Sequence, residues 1–501
     1  MNRRDFIQLS TMASVAALPA LSHAAPADVS TPTVRASIRA DRILSKIPED
    51  FTGLSYESAQ LANPGFFSGD NTQLIGFVRR LGKAGVLRLG GNTSEYCYWT
   101  PSDKTTPVAS NDNVQRDQTT QIGFGFTVGP DTGKKAPASV NITPAAIHNL
   151  RDFVDATGWT LIYGLNMGTG TPEDAAAEAA YVMDVLGPKL ISFQLCNEPD
   201  IFSRNGLRPA DYAFAKFAEE WRRYFQAVRA RVPKAQFAGP DTAYNTAWLV
   251  PFARQFKNDV SFLSQHYYAE GPPTDPSMTI ERLLSPNPKL QQEFDGMKQT
   301  REETGLPFRL AETNSCYQGG KPGVSDTFTS ALWATDLMYQ LASAGGMGIN
   351  FHGGGYGWYT PIAGSVEDGF NARPIFYGML LFALAGSGQL VECKLEGGEQ
   401  TSLLTVYALR SNDGQLKLAI FNKNLDRRVR LVIDSIQAQN GKVIRLHAPR
   451  VSDTTDVTIG SAPIGANGAW SAAHEELVAV DSGAANLDMP PASAALVTFT
   501  A

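Results

Sequence analysis

Short apolar, β-branched runs recur along the chain at residues 51–56, 86–91, 160–166, 191–195, 236–240, 262–268, 308–311 and 347–351. Between them lie segments whose apolar residues fall at three- and four-residue steps. The clearest spans 211–229, where Phe214, Phe217, Trp221, Phe225 and Val228 form one stripe among charged neighbours, the pattern of a helix that buries one face. Eight strands alternating with helices predict a parallel sheet with helical crossovers, either closed as a (β/α)8 TIM barrel or open as a doubly wound sheet.

The polar residues separate these two folds. In a barrel the chemistry gathers at the C-terminal ends of many strands. Here those ends carry Glu57, Asn92, Asn166, Asn197, Glu198, Asp241, His266, Tyr268, Glu312, Thr313, Asn314 and His352. No G-x-G-x-x-G follows the first strand, so a nucleotide crevice has no support and the closed barrel is expected. After residue 386 the pattern changes to two-residue alternation at 403–409, 416–421, 429–433, 443–446 and 495–500, with the hairpin signal Asn412-Asp413-Gly414 between the first two. This predicts a smaller C-terminal β-sandwich. The run 34–38 has no neighbour in the barrel and is expected to cross over and join that sandwich. The predicted division is a leader at 1–24, the N-terminal strand region at 27–48, the catalytic barrel at 49–385 and the sandwich at 386–501.

With 501 residues, 43% of them hydrophobic and 18% charged, the chain exceeds one compact domain, in keeping with a large unit plus a small one. The net charge of −6 is scattered, and without a basic stripe nucleic acid is not an expected partner. Arg3-Arg4-Asp5-Phe6, an apolar run to Leu21 and then Ser22-His23-Ala24 read as a twin-arginine-type signal peptide of a bacterial, periplasmic or secreted protein. No run of eighteen uninterrupted apolar residues predicts a membrane span. Cys97, Cys196, Cys316 and Cys393 are far apart and lack metal-site spacing, so they read as mostly buried small side chains.

Two strand-end glutamates stand out, Glu198 after the fourth run and Glu312 after the seventh. Hydrolysis of a glycosidic bond with retention needs a carboxylic acid to protonate the leaving oxygen and a carboxylate about 5 to 5.5 Å away to attack the anomeric carbon. Two glutamates in one barrel mouth can meet that spacing. Asn197 beside Glu198 suits a sugar 2-hydroxyl. A metal-dependent hydrolase calls for several histidines with a His-x-His pair, and the six histidines here include none. Neither a metal nor another cofactor is therefore implied, and His266 and His352 are expected to hydrogen-bond within the pocket.

The motifs Leu87-Arg88-Leu89-Gly90-Gly91-Asn92, Cys196-Asn197-Glu198-Pro199-Asp200, Gln265-His266-Tyr267-Tyr268 and Glu312-Thr313-Asn314-Ser315-Cys316-Tyr317-Gln318-Gly319-Gly320 together resemble the heparanase and β-glucuronidase family, glycoside hydrolase family 79 of clan A. The resemblance implies Glu198 as acid/base and Glu312 as nucleophile, with Tyr268 hydrogen-bonding the nucleophile. It implies Glu57, Asn92 and Asn197 as partners of sugar hydroxyls. It further implies Tyr317, the Gly319 N–H and a tyrosine after the eighth strand as partners of a glucuronate carboxylate. Tyr359 is the choice for that tyrosine, with Tyr356 competing. The implied substrate is a glucuronate-containing glycoside or oligosaccharide. The nucleophile's negative charge is expected to raise the pKa of Glu198, while Tyr268 and nearby donors keep Glu312 ionised. Removal of terminal β-glucuronate is favoured over endo cleavage of a heparan-like chain, because the polar stretch 100–140 is long enough to wall one side of the barrel mouth and no basic cluster suits sulfated chains. The alternative from another class is a non-catalytic polysaccharide-binding protein.

Overall fold

A computed structural model describes residues 31–103 and 139–500. The segment 1–24, predicted to be a leader, and nearly all of the stretch 100–140 lie outside the described residues. Eight parallel strands, Thr52–Glu57, Val86–Gly90, Thr160–Gly164, Leu190–Gln194, Phe237–Thr242, Phe262–Glu270, Phe308–Cys316 and Gly348–Gly353, close into a barrel in chain order. They are the barrel strands one to eight below. The closed alternative of the sequence reading is the one observed. The seventh strand runs past its predicted end, so Glu312, Thr313 and Asn314 lie within it rather than beyond it.

Alternation along each strand decides what enters the lumen. Val86, Ile162, Ala238 and Phe262 form a small apolar cluster separate from the main core, with Ile191 and Met347 against it. These side chains close the barrel floor. Two-residue steps from that floor bring Arg88 up the second strand and Ser264, His266 and Tyr268 up the sixth, all on the lumen face. The helices pack outside. Pro144–Thr157 and Pro172–Leu186 each begin with proline in the first turn and a threonine cap, Thr143 accepting from the Ala146 N–H and Thr171 from the Asp174 N–H. In Phe214–Arg231 the predicted stripe is core: Phe217, Trp221 and Val228 are buried, and Trp221 meets Phe252 and Phe256 of the next helix. No helix among the described residues is long and apolar enough to cross a membrane.

The C-terminal part forms a ten-stranded sheet among the described residues. Its strand Asn440–His447 pairs with both Glu476–Asp481 and Ser493–Thr500, so the sheet folds back on itself around a second apolar core. The N-terminal strand crosses over as expected, but it is longer than its prediction, at Thr33–Ile47. It lies between Gly388–Glu396, to which it is antiparallel, and Val429–Asp434, to which it is parallel. The predicted hairpin joins Leu404–Ser411 to Leu416–Asn422. Strands at Gly388–Glu396, Thr458–Ile459, Glu476–Asp481 and Ala484–Met489 were not anticipated. All four cysteines are unpaired, three of them buried.

Asp336, on the helix Phe328–Ser343, ties barrel to sandwich. Its carboxylate accepts from Thr405 Oγ1 and Tyr407 OH at 2.8 Å and from Lys423 Nζ at 2.6 Å. Both members of the Lys423–Asp336 pair are buried. Removing one partner of such a pair strands a charge, so Lys423→Met is expected to cost about 3–5 kcal/mol of stability while leaving kcat at 25 °C unchanged. Thermal unfolding at the wild-type temperature would contradict this account of the interface.

Candidate active site

One buried cation organises the lumen. Arg88 has no exposed surface, and its guanidinium reaches five acceptors. Nη1 donates to Glu312 Oε2 at 2.6 Å and Ser55 Oγ at 3.3 Å, Nη2 to Asp241 Oδ2 at 2.7 Å and Asn197 Oδ1 at 2.8 Å, and Nε to Gln194 Oε1 at 2.9 Å. The planar fork suits this divergent set in a way a lysine ammonium does not.

Glu312 also accepts from the Tyr268 hydroxyl at 2.7 Å, as the family resemblance implied. His352 Nδ1 stands 3.5 Å from its Oε2 and His266 Nδ1 3.8 Å from its Oε1. Burial alone would raise this carboxyl's pKa, but His352, His266, Arg88 and the Tyr268 bond outweigh it and hold the pKa well below the usual carboxylate range.

Glu198 follows the fourth strand in left-handed backbone, φ 52° and ψ 52°, with its N–H on the Asp241 carbonyl at 2.9 Å. Its Oε1 lies 3.0 Å from His266 Nδ1. Burial pushes the Glu198 pKa up, His266 opposes the rise, and the negative charges of Glu312 and Asp200 add to it. This corrects the expectation from sequence: like-charge repulsion from Glu312 contributes, but burial is the larger cause. One oxygen of Glu198 and one of Glu312 come within 4.8 Å of each other.

His266 bridges the acids from below, its Nε2 3.2 Å from Asp241 Oδ2. Burial would lower its pKa, yet Asp241 and Glu312 raise it to about 10, so the ring is a cation at neutral pH. Glu198, His266 and Glu312 offer ligand atoms close enough together to hold a metal ion, the one such group among the described residues. The Arg88 guanidinium on Glu312 and the imidazolium between the two glutamates put positive charge where a cation would sit, so these donors fit a metal poorly.

Other predicted residues surround this pair. Glu57 Oε2 accepts from the Thr93 N–H at 2.8 Å and its hydroxyl at 2.7 Å, and Oε1 lies 3.7 Å from His352 Nε2. Gly91, at φ 71°, makes room for it, since a Cβ there would lie 2.3 Å from Glu57 Oε2. Asn197 Nδ2 donates to Asn92 Oδ1 at 3.4 Å, joining the two amides expected to meet sugar hydroxyls. Tyr359 is buried, with its ring centroid 6.2 Å from that of Tyr268 and 6.0 Å from that of His352. Its N–H donates to the Gly319 carbonyl at 3.4 Å. Tyr317 stands at the edge, 38% exposed, with its ring at right angles to Tyr268. Tyr356 donates its hydroxyl to Asp368.

His266 and His352 do hydrogen-bond in the pocket, the latter to Ser55 Oγ at 3.0 Å. Asn166 stays out of it, shaping its own loop by accepting from the Thr169 and Gly170 N–H groups. The sequence motifs assign no role to Arg88 and do not mark Glu95. The signal for Arg88 was present: a charge inside an apolar strand, two residues from a floor residue.

Paired carboxyl groups at the mouth of a (β/α)8 barrel, their pKa values pushed in opposite directions, are the equipment of a glycoside hydrolase. Residues 71–339 match the sequence model of the glycosyl hydrolase family 79 N-terminal domain, and the chain belongs to that family. It is 24% identical over 412 residues to a β-glucuronidase of Aspergillus niger, covering 74% of this chain and 69% of that one. It is likewise 24% identical over 453 residues to a heparanase of Mus musculus, covering 81% of this chain and 82% of the other. Among solved structures it is similar to a 4-O-α-L-rhamnosyl-β-D-glucuronidase from Fusarium oxysporum, with a TM-score of 0.72 and 17% identity over 94% of this chain and 100% of that one, a likeness of fold.

Because His352 is foremost among the charges that depress the Glu312 pKa, His352→Gln is expected to raise it. Loss of activity on acidification then begins at higher pH, which a pH profile of kcat/KM will show. An unmoved acidic limb would contradict the assignment.

Proposed function

We propose that this enzyme hydrolyses β-glucuronides with retention of configuration, Glu312 acting as nucleophile and Glu198 as acid/base. The observation that carries the reading is the pair itself: two carboxyl groups with oxygens within 4.8 Å, one driven towards protonation by burial and the other kept ionised by cations. That separation suits double displacement, since inversion needs about 6.5–9.5 Å to admit a water between the groups.

In the first step Glu312 attacks the anomeric carbon, the glycosidic C–O bond breaks, and the Glu198 proton passes to the departing oxygen. Esterified Glu312 no longer carries the charge that helped to raise the Glu198 pKa. Glu198, now a carboxylate and drawn down by the His266 cation, takes a proton from the water that attacks the same carbon. The Glu312–sugar bond breaks, and both groups return to their starting states. Asn197 and Asn92 meet the 2-hydroxyl side of the sugar, and Glu57 another hydroxyl.

Glucuronate is the proposed sugar because Tyr359, Gly319 and Tyr317 lie together beside Tyr268. Tyrosine hydroxyls and a glycine N–H are donors that a carboxylate uses better than a hydroxymethyl group does. The β-glucuronidase relatives support the same choice. Exo action is our reading, on the length of the stretch 100–140 and the scattered charge. Export by the twin-arginine-type leader is also part of the proposal, and N-terminal sequencing of a periplasmic product starting after Ala24 would support it.

Wild-type enzyme is expected to turn over an aryl β-glucuronide with a bell-shaped pH profile. Activity falls at low pH as Glu312 is protonated and at high pH as Glu198 loses its proton. Glu198→Ala should cut kcat by about 10²–10⁴-fold and Glu312→Ala by at least as much. Proton NMR should show the β-anomer as first product; the α-anomer would overturn the mechanism. Tyr359→Phe should reduce the preference for glucuronide over glucoside by about tenfold, the effect of losing one charge-assisted hydrogen bond. An unchanged preference would remove Tyr359 from the carboxylate site.

A further inference from the structure

Glu95 has no part in the scheme above, yet it is only 2% exposed and sits where loops after the second, third and fourth strands meet. It belongs to the 3-10 turn Asn92–Tyr96. Its Oε1 accepts from the Asn197 N–H at 2.5 Å, and its Oε2 from the Gly168 N–H. Both carboxylate oxygens are thus committed to backbone donors, one of them immediately before Glu198.

That donor matters because of the backbone that follows. Left-handed conformation is uncommon for a non-glycine residue and persists only where surrounding contacts over-determine it. At Glu198 the constraints are countable. The Asn197 side chain is held by Arg88, the Glu198 N–H by the Asp241 carbonyl, and the Asn197 N–H by Glu95. Glu95 is itself set against the third-strand loop: a Cβ on Gly168 would lie 2.7 Å from Glu95 Cβ, so the glycine lets the carboxylate approach.

We propose that Glu95 is a positioning residue for the acid/base, fixing the Asn197 N–H so that the left-handed turn aims the Glu198 carboxyl at the leaving-group oxygen. This rests on the reading of Glu198 as acid/base. Glutamine at position 95 offers one acceptor and one NH2 donor, so one of the two N–H groups would face another donor. Alanine at position 168 attacks the same arrangement sterically, since its Cβ would also lie 2.7 Å from Glu95 Oε2, while leaving the carboxyl group in place.

A merely structural carboxylate and a positioning one differ in leaving-group dependence. Dinitrophenolate departs without protonation, whereas 4-methylphenolate needs the acid. The test compares kcat/KM for 2,4-dinitrophenyl and 4-methylphenyl β-glucuronides in wild type, Glu95→Gln, Gly168→Ala and Glu198→Ala, with thermal melts to confirm folding. We expect Glu95→Gln and Gly168→Ala to lose about 10–100-fold on the methylphenyl substrate, as a misplaced catalytic group does, and less than about threefold on the dinitrophenyl one. Equal losses on both substrates, or none on either, overturn the proposal. If Glu95→Gln does not fold, Gly168→Ala decides by the same criterion. Glu198→Ala separates the two levels of the argument: a loss confined to the methylphenyl substrate upholds Glu198 as the acid, and an equal loss on both removes that reading and this one with it.

Discussion

The Arg88 guanidinium is the constraint on which the site depends. Glu312, Asp241, Glu198 and Glu57 all lie in a lumen from which water is largely excluded, and four carboxyl groups so placed repel one another. Arg88 reaches only two of them. It binds Glu312 and Asp241 directly and does not hydrogen-bond Glu198. Together with His352 and His266 that contact lowers the Glu312 pKa, while burial raises that of Glu198. His266 takes its charge chiefly from Asp241 and Glu312 and presents it to Glu198. The same guanidinium ties together strands one, two, four, five and seven through Ser55, its own backbone, Gln194, Asp241 and Glu312. Charge balance and barrel geometry are therefore a single arrangement.

Much of this was legible in the residue pattern, and the parts that were not share a physical cause. All eight barrel strands declared themselves because strands buried on both faces read as continuous apolar runs. Glu198 and Glu312 were visible because each interrupts or ends such a run. Arg88 was harder, since its meaning comes from partners that lie far away in sequence, from Ser55 to Glu312. Glu95 gave no pattern signal, because its role is carried by backbone N–H groups that every sequence has.

In the sandwich, the strands that the apolar pattern does not predict are those with a half-wet face. Glu476–Asp481 buries only Val478 and shows no alternation of apolar and polar residues, while Ala484–Met489 alternates but with few bulky apolar residues; between them the turn Ser482-Gly483 has both residues at positive φ. The N-terminal strand outran its prediction because past Ile38 it is mostly exposed, with its pairing carried by backbone through bulges rather than by buried side chains. Apolar pattern reports burial, and hydrogen-bonded edges that bury little leave little trace in it.

The position of that N-terminal strand has a consequence for how the molecule can come apart. Ala36 pairs with Leu395 on one side and Ile433 on the other, so the small sheet is completed by chain made before the barrel and chain made after it. A cut in the connection near residue 386 would leave each piece holding part of the other's hydrogen-bond ladder. The barrel is thus enclosed in a loop of chain whose two ends are stitched together. Such long-range pairing makes assembly slow, because closing so large a loop costs entropy before contacts reward it. Once closed, it holds barrel and sandwich together through a backbone ladder that neither end of the chain can complete alone.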